Sequence, residues 1–373
     1  MDKPLSKRID PATFFTFENV GKTIAELETP VPIIDIDVMM ANLTRWQAHC
    51  DRLGIANRPH IKTHKLVGAA KLQIALGAKG VCVQKLGEAE VMADAGITDL
   101  LLSFNIVGRH KLERLAKLMA RTDIAVVADN AEMLQGLSAA ARTTNRKLTV
   151  LAEIDTGMGR NGAQTPDAAI VLAKEIAATA GLNFGGLMTY PPAFKRQDVE
   201  AFIAETKDGL SKAGLPCPRV SSGGSKDMWD DSNLGGVTEY RAGTYIYFDR
   251  SLVSVGACSY SDCAEAVLAT VVSVPSSDRA IIDAGSKALT SDLLGLTGYG
   301  VVEDLDMATV YNVNEEHGYL DISQVQAKPR VGDQVRITMN HVCPVNNLFD
   351  KVVFVRGETV LGAVTVDARG KVQ

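Results

Sequence analysis

The sequence predicts an α/β chain: a (β/α)8 TIM-like barrel joined to a second, mainly antiparallel β domain. Three observations carry this expectation. Short apolar segments alternate with longer helical ones, the helical ones often end in Gly, and from about residue 264 the pattern turns to β segments broken by turns. An open doubly wound sheet is the competing architecture. It lacks its fingerprint here, since no GxGxxG follows the first strand.

Taken in order, "VPIIDID" (31–37) reads as a strand and "MMANLTRWQAHCDRLG" as the helix after it. The cycle repeats with "RPHIK" before "LVGAAKLQIALG", "GVCVQ" before "GEAEVMADAG" and "DLLLSF" before "GRHKLERLAKLMAR". Then come "DIAVVAD" with "NAEMLQGLSAAARTT", "LTVLAEID" with "TPDAAIVLAKEIAATAG", and "NFGGLMTY" with "RQDVEAFIAETKDGLSKAG". "PRVSSGG" and "VTEYRAGTYIYF" complete nine strand candidates, one more than a closed eight-stranded barrel needs. The later segments "AVLATVVSVP", "RAIIDAG", "GDQVRITMN" and "DKVVFVRGETVLGAVTV" belong to the β domain. In such a barrel the residues just past strand C-termini face the active site, and Lys62, Gln84, Asn105, Asp129, Asp155, Tyr190 and Ser222 all fall there.

The totals narrow the function classes. With 373 residues the chain can bury a large core; 46% apolar and 22% charged residues are ordinary for a globular protein. A net charge of -5 gives no general support for nucleic-acid or anionic-membrane binding. "MDKPLSKRID" lacks the apolar core of a signal peptide, and no stretch reaches the roughly 20 apolar residues of a membrane helix. Six cysteines without a CxxC pair suit a reduced, cytoplasmic setting.

Four segments carry candidate chemistry. In "RPHIKTHK", Lys62 stands beside His60, His64 and Lys65; neighbouring positive charge and partial desolvation would make its amine nucleophilic, although a solvated basic loop is the plainer local reading. In "VSSGGSKDMW", the Ser222 hydroxyl and the backbone N–H groups of Gly223, Gly224 and Ser225 suit a phosphate, or simply a flexible turn. "AEIDTGMGRNG" turns through Gly157 and Gly159 to Arg160, a binder of carboxylate or aromatic hydroxyl or a structural ion-pair partner. In "MNHVCPVNNLFD", alternation puts His341 and Cys343 on one face if the segment is a strand, as zinc-type ligands or as buried core residues. His317 in "NEEHG" is a further possible ligand or proton-transfer group.

"TPVPIIDID", "RPHIKTHK", "EIDTGMGRNG", "SSGGS", "EYRAGTYIYFD" and "NHVC", in that order over roughly residues 28–370, resemble the fold-type III pyridoxal-phosphate enzymes of the D-threonine aldolase and D-serine dehydratase group. That group is distantly similar to alanine racemases. The resemblance implies a cofactor-binding barrel over 40–260, with residues 1–39 and 261–373 forming a β domain that carries a metal motif. It makes Lys62 the lysine joined to pyridoxal 5'-phosphate, and gives Ser222, Gly223, Gly224, Ser225 and Tyr245 to the phosphate. Gln84, Arg160 and Tyr190 go to the ring and its hydroxyl, and His341 and Cys343 to a divalent ion (Zn, Mn, Co or Mg). Lys62, His341, Tyr190 and Arg160 are then the expected catalytic residues.

The activity this implies is cleavage of D-threonine and related D-3-hydroxy-amino acids to glycine and an aldehyde. The alternatives are dehydration of D-serine or D-3-hydroxyaspartate and, further off, a non-catalytic carrier of the cofactor. A homodimer without nucleic-acid or membrane partners is expected. Two departures bear on substrate: "LMTYPPAF" has two prolines where relatives more often carry a glycine-containing turn, and His-x-Cys matches dehydratases where aldolases tend to have aspartate.

Overall fold

Eight parallel strands form one sheet in the spatial order Ala56–Asn57, Glu239–Tyr240, Val220–Ser222, Leu182–Met188, Leu148–Glu153, Asp123–Ala128, Asp99–Leu102, Val81–Val83. Its two ends meet. His60 bridges Cys82, Ile61 donates to the Cys82 carbonyl at 2.9 Å, and Cys82 donates to the Pro59 carbonyl at 2.8 Å. The eight strands thus close as the periodicity predicts. Helices such as Arg109–Met119, Ala131–Thr144, Pro166–Ala178 and Arg196–Lys212 connect them. Cys82, Leu101, Ala125, Val127, Leu151 and Met188 pack together as an apolar cluster within this sheet's strands.

The computed structural model describes residues 9–230 and 235–373. The chain divides into two compact units, and the barrel unit comprises Trp46–Lys62, Gln73–Gly243 and Lys371–Gln373. The other takes the chain up to Arg45, Thr63–Leu72 and Thr244–Gly370. Among the described residues no helix is long and apolar enough to cross a membrane.

The second unit is built on a nine-stranded sheet. Six strands run round a closed circuit: Glu265–Ser276, Arg279–Ile282, Gly318–Asp321, Ala308–Val313, Gly300–Val302 and Gln334–Met339, all antiparallel. Val31–Asp35 extends the sheet from Glu265–Ser276, and Lys351–Arg356 and Thr359–Thr365 follow. The extra strand candidate therefore lies in this sheet, where Ile33, Leu268, Val353 and Val355 share a core. The sheet is antiparallel except where Val31–Asp35 runs parallel to Lys351–Arg356.

Three local expectations are corrected. "RPHIK" is not the strand. The strand is Ala56–Asn57, its ladder continues through the Arg58 and His60 N–H groups, and Lys62 stands beyond it in a turn. Pro59 has no N–H to give, so the regular strand stops early. "EYRAGTYIYF" is a strand only at Glu239–Tyr240, after which Thr244–Ile246 forms a 3-10 turn. "NHVC" is the start of the helix Val342–Leu348, with His341 as its N-cap.

A chain of buried polar groups ties the strands of the barrel. Arg58, fully buried, donates from Nε to Glu239 Oε2 at 2.9 Å and from Nη1 to Asp99 Oδ1 at 2.7 Å. Ser221 Oγ donates to Glu239 Oε1 at 2.6 Å and accepts from Arg241 Nη1 at 2.8 Å, while Arg241 Nη2 donates to the Thr189 carbonyl at 2.7 Å. Burial disfavours both charges, but the mutual attraction holds Arg58 well above and Glu239 below their ordinary pKa ranges. Truncating one partner leaves the other's charge buried and alone. Arg58→Ala should therefore lower unfolding free energy in urea by about 3–5 kcal/mol; a loss under about 1 kcal/mol, as for a surface pair, would contradict this role.

Candidate active site

The residues past the strand ends converge on the mouth of the barrel. Lys62 is exposed, on a turn whose other members Ile61, Thr63 and His64 are buried. Its side chain is thus presented by a turn whose other residues are packed. His60 Nε2 lies 3.0 Å from Gln84 Oε1 and 3.3 Å from Ser103 Oγ, and Gln84 Nε2 donates to the Ser103 carbonyl at 3.3 Å. Gln84 and the segment leading to Lys62 are therefore held in one network. Lys65, buried and at φ 54°, donates to the Ala368 carbonyl within the other unit, which gives this second lysine a structural task.

Ser222 is buried at the end of its strand, and the chain turns at Gly223 with φ +105°. A Cβ at Gly223 would stand 2.3 Å from the Tyr240 ring, and one at Gly224 3.3 Å from the Tyr190 ring. At Gly223 only glycine lets the backbone pass this close to the ring, while at Gly224 a side chain would press against Tyr190. The result is a shallow cradle of main-chain groups beside a buried hydroxyl, which fits a phosphate.

The loop after Leu148–Glu153 is wound about one carboxylate. Asp155 Oδ1 accepts from the Gly157, Met158 and Gly159 N–H groups at 2.7–3.2 Å, and Oδ2 from the Arg160 N–H at 3.0 Å. Burial opposes the charge, but these four donors hold its pKa below the usual carboxylate range. This brings Arg160 over Tyr190, with Cζ 5.2 Å from the ring centre. Glu153, the last residue of that strand, is the opposite case. It is buried, Oε2 has no hydrogen-bond partner among the described residues, and burial pushes its pKa up to about 7 against the ordinary 4.5, with Arg160 opposing. A cradle that excludes side chains and an unsatisfied buried carboxyl fit a pocket made for a polar ring and its phosphate.

In the other unit, His341 and Cys343 sit on the first turn of Val342–Leu348. His341 Nδ1 lies 2.8 Å from Asp292 Oδ2, the kind of contact that orients an imidazole through one ring nitrogen and would leave Nε2 as the nitrogen to offer a metal. Burial disfavours a cation here, yet Cys343 and Asp292 beside it raise the His341 pKa to about 9. Surroundings that stabilise positive charge at an imidazole and a thiol fit a borderline-soft divalent ion. Asp249 anchors the helix by accepting from the Val342 N–H at 3.1 Å, and Thr63 Oγ1 lies 3.1 Å from Cys343 Sγ. No cluster of three or more His, Cys, Asp or Glu side chains able to hold a metal occurs among the described residues. His317 is exposed, beside a surface pair of Lys287 with Glu316. Tyr245 is buried in its 3-10 turn. Asp292 and Thr63 had no local signal in the sequence, because each reaches its partner across a long separation.

The Glu153 shift has a consequence for stability. Between pH 4.5 and about 7 the unfolded chain has released the Glu153 proton while the folded chain keeps it, so this group's contribution to stability falls as pH rises through that window. Glu153→Gln removes the effect. In the cofactor-free protein the variant should gain on wild type by on the order of 1–3 kcal/mol between about pH 5 and about pH 8 in urea unfolding. An equal difference at both pH values would contradict it.

Comparison with known proteins accords with this geometry. Residues 34–251 match the alanine racemase N-terminal domain, and residues 264–355 match a putative serine dehydratase domain. A D-threonine aldolase from Arthrobacter sp is 33% identical over 94% of this chain and 95% of its own length. The crystal structure of D-threonine aldolase from Filomicrobium marinum superposes with a TM-score of 0.88 at 33% identity, covering 95% of this chain and 99% of that one. A cysteine-to-alanine variant of D-threo-3-hydroxyaspartate dehydratase, solved in metal-free form, has a TM-score of 0.83 at 31% identity over 92% and 99% of the two chains. The chain therefore belongs to the fold-type III pyridoxal-phosphate enzymes of the D-threonine aldolase and D-serine dehydratase family, and is a pyridoxal-phosphate-dependent lyase acting on D-amino or D-hydroxy-amino acids.

Proposed function

We propose that this lyase is activated by a divalent metal and cleaves D-threonine and related D-3-hydroxy-amino acids to glycine and an aldehyde. The observation that supports the reading is similarity to D-threonine aldolases along nearly the whole chain. Lys62 supplies the amine that holds the cofactor. Ser222, Gly223, Gly224 and Ser225 offer donors to its phosphate, as does Tyr245, while Gln84, Arg160 and Tyr190 face its ring. When bound, pyridoxal phosphate supplies an electron sink for negative charge at the substrate α-carbon. His341 and Cys343 would hold the metal, which supplies Lewis acidity at the β-oxygen. Asp292 fixes the His341 tautomer, and Thr63 borders the thiol ligand.

A second reading, loss of water to give a 2-oxo acid and ammonia, is supported by one feature. The His341-x-Cys343 pair resembles dehydratases, and a dehydratase of this family has been solved metal-free after its cysteine was replaced. The two readings part at the products. With D-threonine, D-serine and D-threo-3-hydroxyaspartate as substrates and manganese or zinc added, glycine plus an aldehyde should dominate. Dominant 2-oxo acid and ammonia would overturn cleavage in favour of dehydration.

The metal assignment is open to a separate test. Asp292→Ala should weaken metal binding by about 10–100-fold in calorimetric titration, because the imidazole loses its orienting partner. Unchanged affinity would remove Asp292, and with it this geometry for His341, from the site.

A further inference from the structure

Asp292 reaches His341 from an irregular connection, residues 290–299, between the helix Ser286–Leu289 and the strand Gly300–Val302. Little apolar packing holds that connection. Leu293 and Leu294 are 43% and 47% exposed, and none of residues 291–297 is buried. Thr290 and Leu294 stand at φ 66° and 50°, a region that side-chain-bearing residues rarely adopt. Polar anchors supply what packing does not, and they converge on Asn340, the residue before His341. Asn340 is fully buried, and its Nδ2 donates to the Asp292 carbonyl at 3.2 Å and to the Gly298 carbonyl at 2.8 Å. One amide thus holds both ends of the 292–298 segment. Arg250 Nη1 donates to Asn340 Oδ1 at 3.0 Å and to the Thr297 carbonyl at 2.8 Å, which fixes the amide and adds a third anchor. The Asn340 carbonyl in turn accepts from the Ser251 N–H at 3.2 Å, so its main chain is tied to the short helix Arg250–Val253.

An amide that pins both ends of a loop sets where the loop presents its side chains. We propose that Asn340, held by Arg250, is a positioning residue for the metal pair. It clamps the 292–298 loop so that the Asp292 carboxylate meets His341 Nδ1 and the imidazole is turned to offer Nε2 to the ion. The inference rests on the reading of His341 and Cys343 as metal ligands. It adds two residues that hold no ion themselves, since the Asn340 amide is engaged on both sides and a guanidinium is a cation without an acceptor. Because the clamp acts through Asp292, removing it from a protein that already lacks the Asp292 carboxylate should change little more.

The test is calorimetric titration of the pyridoxal-phosphate-loaded protein with zinc or manganese, for wild type, Asn340→Ala, Arg250→Ala, Asp292→Ala and the Asn340→Ala/Asp292→Ala double variant. Chymotryptic cleavage after Leu293, Leu294 and Leu296 and thermal melting, both without metal, accompany it. Asn340→Ala should bind metal at least about tenfold more weakly than wild type, as Asp292→Ala should, and the double variant no more weakly than Asp292→Ala. Asn340→Ala should also be cut faster within the loop, because its anchors are gone. A purely structural role would lower the melting temperature and leave metal affinity alone. Should Asn340→Ala fail to fold, Arg250→Ala, altered at a half-buried position, carries the result in the same direction. Affinities within about twofold of wild type, losses that multiply in the double variant, or unchanged loop cleavage would overturn the proposal. Failure of wild type to bind either ion would instead overturn the metal reading and the positioning role with it, while the cleavage rates would still show whether Asn340 clamps the loop.

Discussion

The barrel depends on a chain of charge buried among its strands. From Asp99 through Arg58, Glu239, Ser221 and Arg241 to the Thr189 carbonyl, each group satisfies the next, and the chain visits five of the eight strands or their ends. Such groups are costly to bury singly and tolerable only as a complete set. Completeness therefore specifies which strands lie side by side. Cys82 shows that the network reaches the apolar cluster: burial pushes its thiol up, and Arg241, Arg58 and Glu239 all act on it.

At the mouth the same economy of partners is deliberately broken. Asp155 is oversupplied with donors, and this rigidifies the loop that carries Arg160. Glu153 is undersupplied, and Gly223 lets the main chain run directly against the Tyr240 ring, exposing backbone groups rather than side chains. Rigid supports with unmet polar capacity are what a site for a polar, multiply charged cofactor requires. The His341 and Cys343 turn follows a related logic in its own unit, where Asp249 anchors the helix and Asp292 orients the imidazole.

Much of this was legible in the sequence because parallel strands buried on both faces read as short apolar runs. The runs "DIAVVAD" and "LTVLAEID" contain the strands Asp123–Ala128 and Leu148–Glu153. Positions past those ends, Asp129 and Asp155 among them, followed directly. What failed was local geometry. An i, i+2 pair such as His341 and Cys343 shares a face on a strand but not on a helix, so the alternation pointed to a strand where the helix Val342–Leu348 begins. The strand before Lys62 ends at Asn57, earlier than "RPHIK" suggests, because Pro59 cannot continue the ladder. Asp292 was invisible, since it meets His341 across 49 residues. Glu153 was visible as a residue but not as an environment, because burial without a partner is a tertiary property.

The account stands on Lys62 as the lysine that binds the cofactor, exposed on its turn while Lys65 is buried and bonded to the Ala368 carbonyl. Borohydride reduction of the protein loaded with pyridoxal phosphate, followed by peptide mass mapping, addresses this most directly. The pyridoxyl mass should appear on Lys62. Its appearance on Lys65 or another lysine, or on none, would contradict the account.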